Sequence, residues 1–352
     1  MSPQVATGWS LRPERHRRLF PMDLRPQSHE IIRTWAFYTI VKALLHENAV
    51  PWRHAAISGW VLDPDRKKMS KSKGNVLTPM HLLDEYGADA VRYWSLSAKL
   101  GVDTVFDEKV LKVGRRLSTK LFNVAKFVLT QSGPDTPISR DLDLSFLTRL
   151  RETAEQASAA LEAYEYSGAL DVVERFFWNG FTDTYVELVK ARARSESDPE
   201  GRGSAVAALQ LALKVFLRLF APYLPYITEE AWSWGFAGAE GARSIHRAPW
   251  PGPADFASVP AAEGGGATFA AAVGFLEAVH RAKSQAGASV GRHLARLCVA
   301  ANPATLRLFE GVKADAVSAA RVEDVTVEGR DGLADGAFEV LECTLAEGRP
   351  EA

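Results

Sequence analysis

Between Lys67 and Asn75 the chain reads KKMSKSKGN. Lys67, Lys68, Lys71 and Lys73 crowd together, separated by Met69, Ser70 and Ser72 and followed by Gly74 and Asn75. The stretch has no apolar periodicity, so nothing in it would fold as a core element. Gly74-Asn75 signals a flexible turn. A mobile loop dense in ammonium groups suits concentrated negative charge such as a triphosphate, and the hydroxyls of Ser70 and Ser72 add neutral donors. An arbitrary lysine cluster is more often only a solvated surface loop. The elements on either side must decide between the two.

Upstream, Asp23 to Glu30 leads into IIRTWAFYTIVKALLHEN. Ile31, Trp35, Tyr38, Val41 and Leu45 recur at spacings of three and four, which predicts a helix burying that face. Pro26, Gln27 and Ser28 stand where this helix begins, with Glu30 in its first turn beside free N–H groups. After Val50-Pro51, HAAISGWVLD predicts one strand, stopped by the turn Asp63-Pro64-Asp65. The lysine loop follows. Helix, strand and loop make the second half of an α/β unit, and a carboxylate at a helix start facing such a loop suits the walls of a nucleotide site. Residues 1–19 are expected to be irregular, with Arg12, Arg15, His16, Arg17 and Arg18 solvated rather than on RNA.

Downstream the chain turns helical over residues 79–105, with Leu82, Leu83, Tyr86, Val91 and Trp94 as core. A long amphipathic helix follows over 107–129, burying Val110, Val113, Leu117, Leu121, Val124 and Val128. Lys109, Lys112, Arg116 and Lys120 form a separate basic stripe, continued by Asn123. By itself such a stripe reads first as a solvated face. Further helices carry Leu147 to Tyr164, broken at Ser167-Gly168, then Leu170 to Leu188, then Ser204 to Phe220, with a polar loop at 195–203. Pro222 and Pro225 break the chain again, and Thr228 is expected to cap the next helix. Residues 106–251 thus read as a helical bundle, 252–267 as a Pro/Gly/Ala-rich linker, and 268–347 as a small α/β module. The predicted fold is mostly α.

Length and composition set bounds. The 352 residues suggest two or three domains, and 47% hydrophobic residues can bury sizeable cores. A net charge of −1 gives no global pull toward nucleic acid, so an RNA surface would have to be local. Cys298 and Cys343 have no zinc-ligand spacing and fit a reducing compartment. No apolar run is expected to approach the roughly 20 residues needed to cross a membrane. The N-terminus lacks a signal-peptide pattern. A soluble cytoplasmic protein is the expectation.

Lys68-Met69-Ser70-Lys71-Ser72 resembles the KMSKS signature of class I aminoacyl-tRNA synthetases. Three consecutive blocks, DLRPQSHEIIRTWAFYTIVKAL, SGWVLDPDRKKMSKSKGNV and LLDEYGADAVRYW, resemble the valyl-tRNA synthetase family (class Ia). So do GRRLSTKLFNVAKFVL, FFWNGFTDTYVELVKARAR and APYLPYITEEAWSW, and the likeness covers nearly the whole chain. It implies the remnant of a Rossmann-type catalytic domain over 20–78, an anticodon-binding bundle over 106–251, and a C-terminal module. By resemblance Lys68 and Lys71 serve the phosphates of ATP, with Met69, Ser70 and Ser72 completing the loop. Glu30 faces a ribose hydroxyl, and Gly59 and Trp60 bracket the adenine. A lone histidine is more often structural, so His29 is given no catalytic role. Lys109, Lys112, Arg116, Lys120 and Asn123 become tRNA contacts. The implied substrates are ATP with Mg²⁺, L-valine and tRNA-Val, and no dedicated metal site is implied.

One departure from the pattern is large. The family's HIGH signature, most of its valine pocket and its editing domain are not found. The chain is therefore expected to represent a C-terminal half, inactive alone: either a truncated gene product, or one piece of a split enzyme whose separate N-terminal half carries HIGH. A non-catalytic tRNA-binding module and a regulatory paralogue are the alternatives. Apolar surface around residues 20–66 is expected to be partly uncovered.

Overall fold

The basic N-terminal segment does not fray. The computed structural model describes residues 3–238 and 241–346, and in it Pro3–Thr7 forms α1 and Pro13–Leu19 forms α2. Proline at the first turn loses no hydrogen bond. The expectation of an irregular segment 1–19 is corrected by His16. It is buried, with Nδ1 2.7 Å from Thr7 Oγ1 and Nε2 3.3 Å from Glu47 Oε1. A polar anchor of this kind leaves no trace in hydrophobic periodicity.

The chain divides into two compact units, Met1–Arg116 with Ala160–Gly168, and Leu117–Ala159 with Ala169–Ala352. In the first, β1 (Met22–Ser28) pairs in parallel with β2 (Trp52–Ser58), Met22 opposite Trp52 and Ser28 opposite Ser58. A parallel pair needs a crossover, and α3 (Phe37–Glu47) supplies it. The face this helix buries is not the expected one. Ala36, Thr39 and Ala43 are buried around it, whereas Trp35, Tyr38 and Leu45 are 51%, 58% and 80% exposed. The apolar stripe is present but only partly covered: Ile31 and Val41 are half-buried, and the Arg25 guanidinium lies 4.6 Å from the centre of a Trp35 ring.

The expected strand HAAISGWVLD is interrupted at Gly59-Trp60. Its second piece, β3 (Val61–Leu62), pairs in parallel with β4 (Thr104–Val105) instead. Between β3 and β4 lie the lysine loop, α4 (Met80–Tyr86) and α5 (Ala88–Leu96). Leu82, Tyr86, Ala90 and Phe106 form a buried cluster with Leu111 from α6 (Glu108–Thr130). The face buried by α6 comprises Leu111, Leu117, Leu121, Val124, Ala125 and Val128, while Val113 is exposed. Gly114 permits that shift, because a Cβ there would lie 2.8 Å from the Tyr93 side chain.

Further along the chain, α7 (Asp141–Glu162) and α8 (Tyr166–Arg175) are separated at Tyr164, which adopts φ 62° and lies in the first unit's segment Ala160–Gly168, rather than at Ser167-Gly168. In the second unit, a wide π-helical stretch, Phe176–Tyr185, runs into α9 (Val186–Val189). α10 (Pro199–Phe220) starts earlier than expected, because the Asp198 carboxylate caps it by accepting from Gly201 N. α11 (Pro225–Gly235) likewise starts before Thr228, whose hydroxyl donates to Leu224 O at 2.8 Å inside the first turn. Phe146, Phe177, Phe181, Tyr185, Phe216 and Phe220 interlock as fully buried rings in the core. α10 is long and apolar enough to cross a membrane, correcting the expectation that no stretch is, but 78% of that stretch is buried in the protein.

Residues 252–267 are packed rather than free. Phe256 is buried, Asp255 pairs with Arg218, and Gly265 O accepts from Ser145 Oγ at 2.7 Å. α12 (Ala267–Gln285) then leads to β5 (Leu294–Ala301), α13 (Pro303–Glu310), α14 (Lys313–Ala320), β6 (Val322–Gly329) and β7 (Glu339–Leu345). β5 lies between β6, parallel to it, and β7, antiparallel. Helices account for 57% of the structure, so the protein is mostly α.

Candidate functional site: a lysine loop beside a glutamate–tryptophan pair

The site begins where β2 ends. A Cβ on Gly59 would lie 2.3 Å from Val102 O, so only glycine lets these two backbones approach. The next residues are sewn to the same segment: Trp60 N donates to Asp103 Oδ1 at 2.7 Å, and Thr104 N donates to Trp60 O at 2.8 Å. Gly59 thereby acts through packing, and the indole of Trp60 is held at a defined edge.

Three of the candidate residues converge there. The Ser28 hydroxyl accepts from Glu30 N at 3.5 Å, fixing the turn before the helix. The Glu30 carboxylate accepts from Lys68 Nζ at 2.6 Å and from Trp60 Nε1 at 3.0 Å. Lys68 Nζ also sits 4.5 Å from the centre of a Trp60 ring, within cation–π range. The His29 and Trp60 ring centres are 4.8 Å apart, and His29 Nδ1 is 3.2 Å from Ser58 O. The hydrogen bond from Lys68 holds the Glu30 carboxyl below the usual carboxylate range. Both Glu30 oxygens are therefore engaged by protein groups, and Lys68 is drawn back from the tip of the loop.

The rest of the loop divides by role. Met69 packs against the Leu82–Phe106 cluster, so its side chain anchors the loop to the core. Ser70 and Ser72 lie with their hydroxyl oxygens 3.2 Å apart. Lys71 is exposed at the start of a short 3₁₀ turn, Lys71–Lys73, which ends on Gly74 at φ 69°. Two residues that sequence reasoning passed over hold this arrangement. Asp63, reckoned only a turn residue, accepts from Lys67 N at 2.7 Å and from Asn75 Nδ2 at 2.7 Å. Asn75 Oδ1 accepts from Ser70 N at 3.0 Å, and its Nδ2 reaches Lys68 O at 3.2 Å. The signal available in the sequence was one Asx residue at each end of the loop.

On α6, Lys109, Lys112, Arg116 and Asn123 are exposed. Lys120 is half-buried, paired with Asp183 Oδ1 at 3.0 Å and lying 5.3 Å from a Trp178 ring. It is less exposed than the other four.

Comparison with known proteins decides what this arrangement belongs to. Residues 2–107 match the family described as tRNA synthetases class I (I, L, M and V), and residues 143–293 match the anticodon-binding domain of tRNA ligase. The valine–tRNA ligase of Thermobifida fusca is 49% identical over 305 residues, 85% of this chain and 34% of that protein. The chain belongs to the valyl-tRNA synthetase family. The valine–tRNA ligases of Salinispora arenicola and Bifidobacterium longum are 45% and 42% identical over 94% and 100% of the chain. The chain spans 34–40% of the length of these synthetases. Solved structures share the fold. LeuRS of Agrobacterium radiobacter K84, in a ternary complex with tRNA and LeuAMS, is 20% identical with TM-score 0.56, over 73% of this chain and 33% of that one. Mycobacterium tuberculosis methionyl-tRNA synthetase bound by methionyl-adenylate is 22% identical with TM-score 0.54, over 64% and 46%.

Proposed function

We propose that the chain supplies the phosphate loop and the tRNA-binding helices of a cytoplasmic valine–tRNA ligase, joining L-valine to tRNA-Val at the expense of ATP. The reading divides the chain into a catalytic remnant at 20–78, a connecting region at 79–105, an anticodon-binding bundle at 106–251, a link at 252–267 and a C-terminal module at 268–347. Its main support is the lysine loop, with Lys71 exposed beside the Glu30–Trp60–Lys68 cluster. Attack of the valine carboxylate on the α-phosphate of ATP forms an aminoacyl adenylate and expels pyrophosphate, so negative charge builds on the leaving group. A preorganised ammonium beside that charge stabilises the transition state. Lys71 is free to turn toward it. Lys68 exchanges the Glu30 carboxylate for phosphate oxygens, and the same exchange releases Glu30 to accept from a ribose hydroxyl. Mg²⁺ enters on the triphosphate, and no ligand in this chain is assigned to it.

The same reading calls for a further segment beside β1–β2. Parallel sheets are ordinarily covered on both faces, whereas β1–β2 is only two-stranded and Trp35, Phe37, Tyr38 and Leu45 beside it are exposed. On the proposed reading a segment bearing the HIGH signature covers this face and completes the ATP site. Valine-dependent ATP–pyrophosphate exchange tests the proposal. The 352-residue chain alone is expected to be silent, and the chain mixed with the HIGH-bearing segment active. Lys71→Ala is expected to lower the mixture's rate by about 100-fold, equivalent to about 3 kcal/mol. Exchange by the chain alone would overturn the requirement for a partner. A silent mixture that still binds tRNA-Val would identify a binding module instead.

A further inference from the structure

The two ends of the lysine loop are joined to each other. Asp63 precedes it and Asn75 closes it, and Asp63 is buried, 7% exposed as a residue. One Asp63 oxygen accepts from Lys67 N, the other from Asn75 Nδ2. Asn75 then spends its remaining capacity on the backbone inside the loop, reaching Lys68 O and accepting from Ser70 N. The carboxylate is therefore met by neutral N–H groups, while Lys67 pairs with Asp65 at 3.8 Å and Lys68 with Glu30. Met69, partly buried, packs against the core cluster. The backbone of residues 68–70 is thus fixed by polar groups and by burial, and the exposed side chains of Lys71, Ser72 and Lys73 begin where this clasp ends.

We propose that Asp63 and Asn75 are the positioning residues of the loop, a carboxylate–amide clasp that sets the backbone from which Lys71 projects. The hydrogen bond from Asn75 is also the main reason the Asp63 carboxyl stays below its ordinary range, so the clasp favours the ionised acid. Neither residue needs to touch substrate. Their contribution is that the loop does not have to be ordered when phosphate arrives. That the loop handles phosphate is the reading given above, and the functional side of this inference rests on it; the clasp itself does not.

Trypsin reports loop order directly, because Lys67, Lys68, Lys71 and Lys73 are its cleavage sites. The full chain is digested under native conditions and cleavage within 67–73 is mapped by mass spectrometry, with sites outside the loop as reference. Asn75→Ala and Asn75→Asp each remove a hydrogen bond to a charged group, and are expected to speed loop cleavage about tenfold with an unchanged melting temperature. Exchanging both residues, Asp63→Asn with Asn75→Asp, restores an amide-to-carboxylate bond. That double variant is expected to return cleavage to within about threefold of the parent, a rescue that a residue serving only global stability would not give. Unchanged cleavage in both single variants, or a double variant no better than the singles, overturns the clasp. Adding pyrophosphate to the parent mixed with the HIGH-bearing segment separates the two claims. Slower loop cleavage supports the phosphate reading, while no slowing, with the variants behaving as expected, removes that reading and leaves the clasp standing.

Discussion

Among single residues, the lysines of the loop are not equivalent. Lys68 is drawn to Glu30 and Trp60, whereas Lys71 is exposed. A different lysine, far along the chain, shows what burial does to the same group. Lys283 is fully buried, and its Nζ donates to Val290 O at 2.9 Å and Ala320 O at 2.8 Å. A neutral amine has two N–H groups, enough for both bonds. Burial, followed by the charge of Arg321, pushes its pKa down to about 8. The unfolded chain keeps this proton to about 10.4, so between pH 8 and that value the unfolded state binds more protons than the folded one. Stability is therefore expected to rise through this window, by on the order of 2–3 kcal/mol. Urea unfolding of the parent and of Lys283→Met across pH 7.5–10.5 would check it: the parent should gain relative to the variant, and parallel curves would contradict the assignment.

Taken as an element, α6 carries a stripe whose members should differ in what they contribute to RNA binding. Lys109, Lys112 and Arg116 are exposed, while Lys120 is tied to Asp183 and lies over Trp178. Phosphate contacts release counterions, so each lost contact flattens the dependence of affinity on salt. Replacing Lys109, Lys112 or Arg116 with alanine is expected to weaken tRNA binding and reduce the salt slope by about one each. Lys120→Ala should change the slope less and lower the melting temperature more. Filter binding over a salt series measures the first quantity and thermal unfolding the second. Slopes in all four variants equal to that of the parent would return the stripe to a merely solvated face.

At the scale of the molecule, the two units differ in how completely they bury their apolar residues. The second is organised around interlocked aromatic rings and a buried ionic network. In that network Arg192 donates to Asp143 and Asp315, and Tyr185 and Ser204 also donate to Asp143. The first unit exposes Ile32, Trp35, Phe37, Tyr38, Leu44 and Leu45 within one short segment. Contiguous apolar surface of that kind drives association. The chain alone is expected to self-associate at micromolar concentration in analytical ultracentrifugation, and Leu45→Glu with Trp35→Glu to shift it toward monomer. A HIGH-bearing segment should have the same effect if it covers this face. A monomeric parent would show that the exposed residues are accommodated without a partner.

Sequence alone determined the helical character of most of the chain, the lysine loop with Glu30 near it, and the synthetase family. These are local properties: periodicity needs only spacing along the chain, and an ordered motif is legible wherever it lies. It did not determine which apolar stripe is buried, since periodicity describes a face and not what covers it; Trp35 and Leu45 keep the expected spacing yet face solvent. It did not foresee α1 and α2, because the order there comes from a buried histidine meeting Thr7 and Glu47 from separate elements. Nor did it show that Lys68 belongs to Glu30, or that Asp63 and Asn75 hold the loop between them. Those are contacts between residues 12 and 38 positions apart. Only the packing of Gly59 on Val102 and of Met69 into its cluster brings such residues within hydrogen-bonding reach.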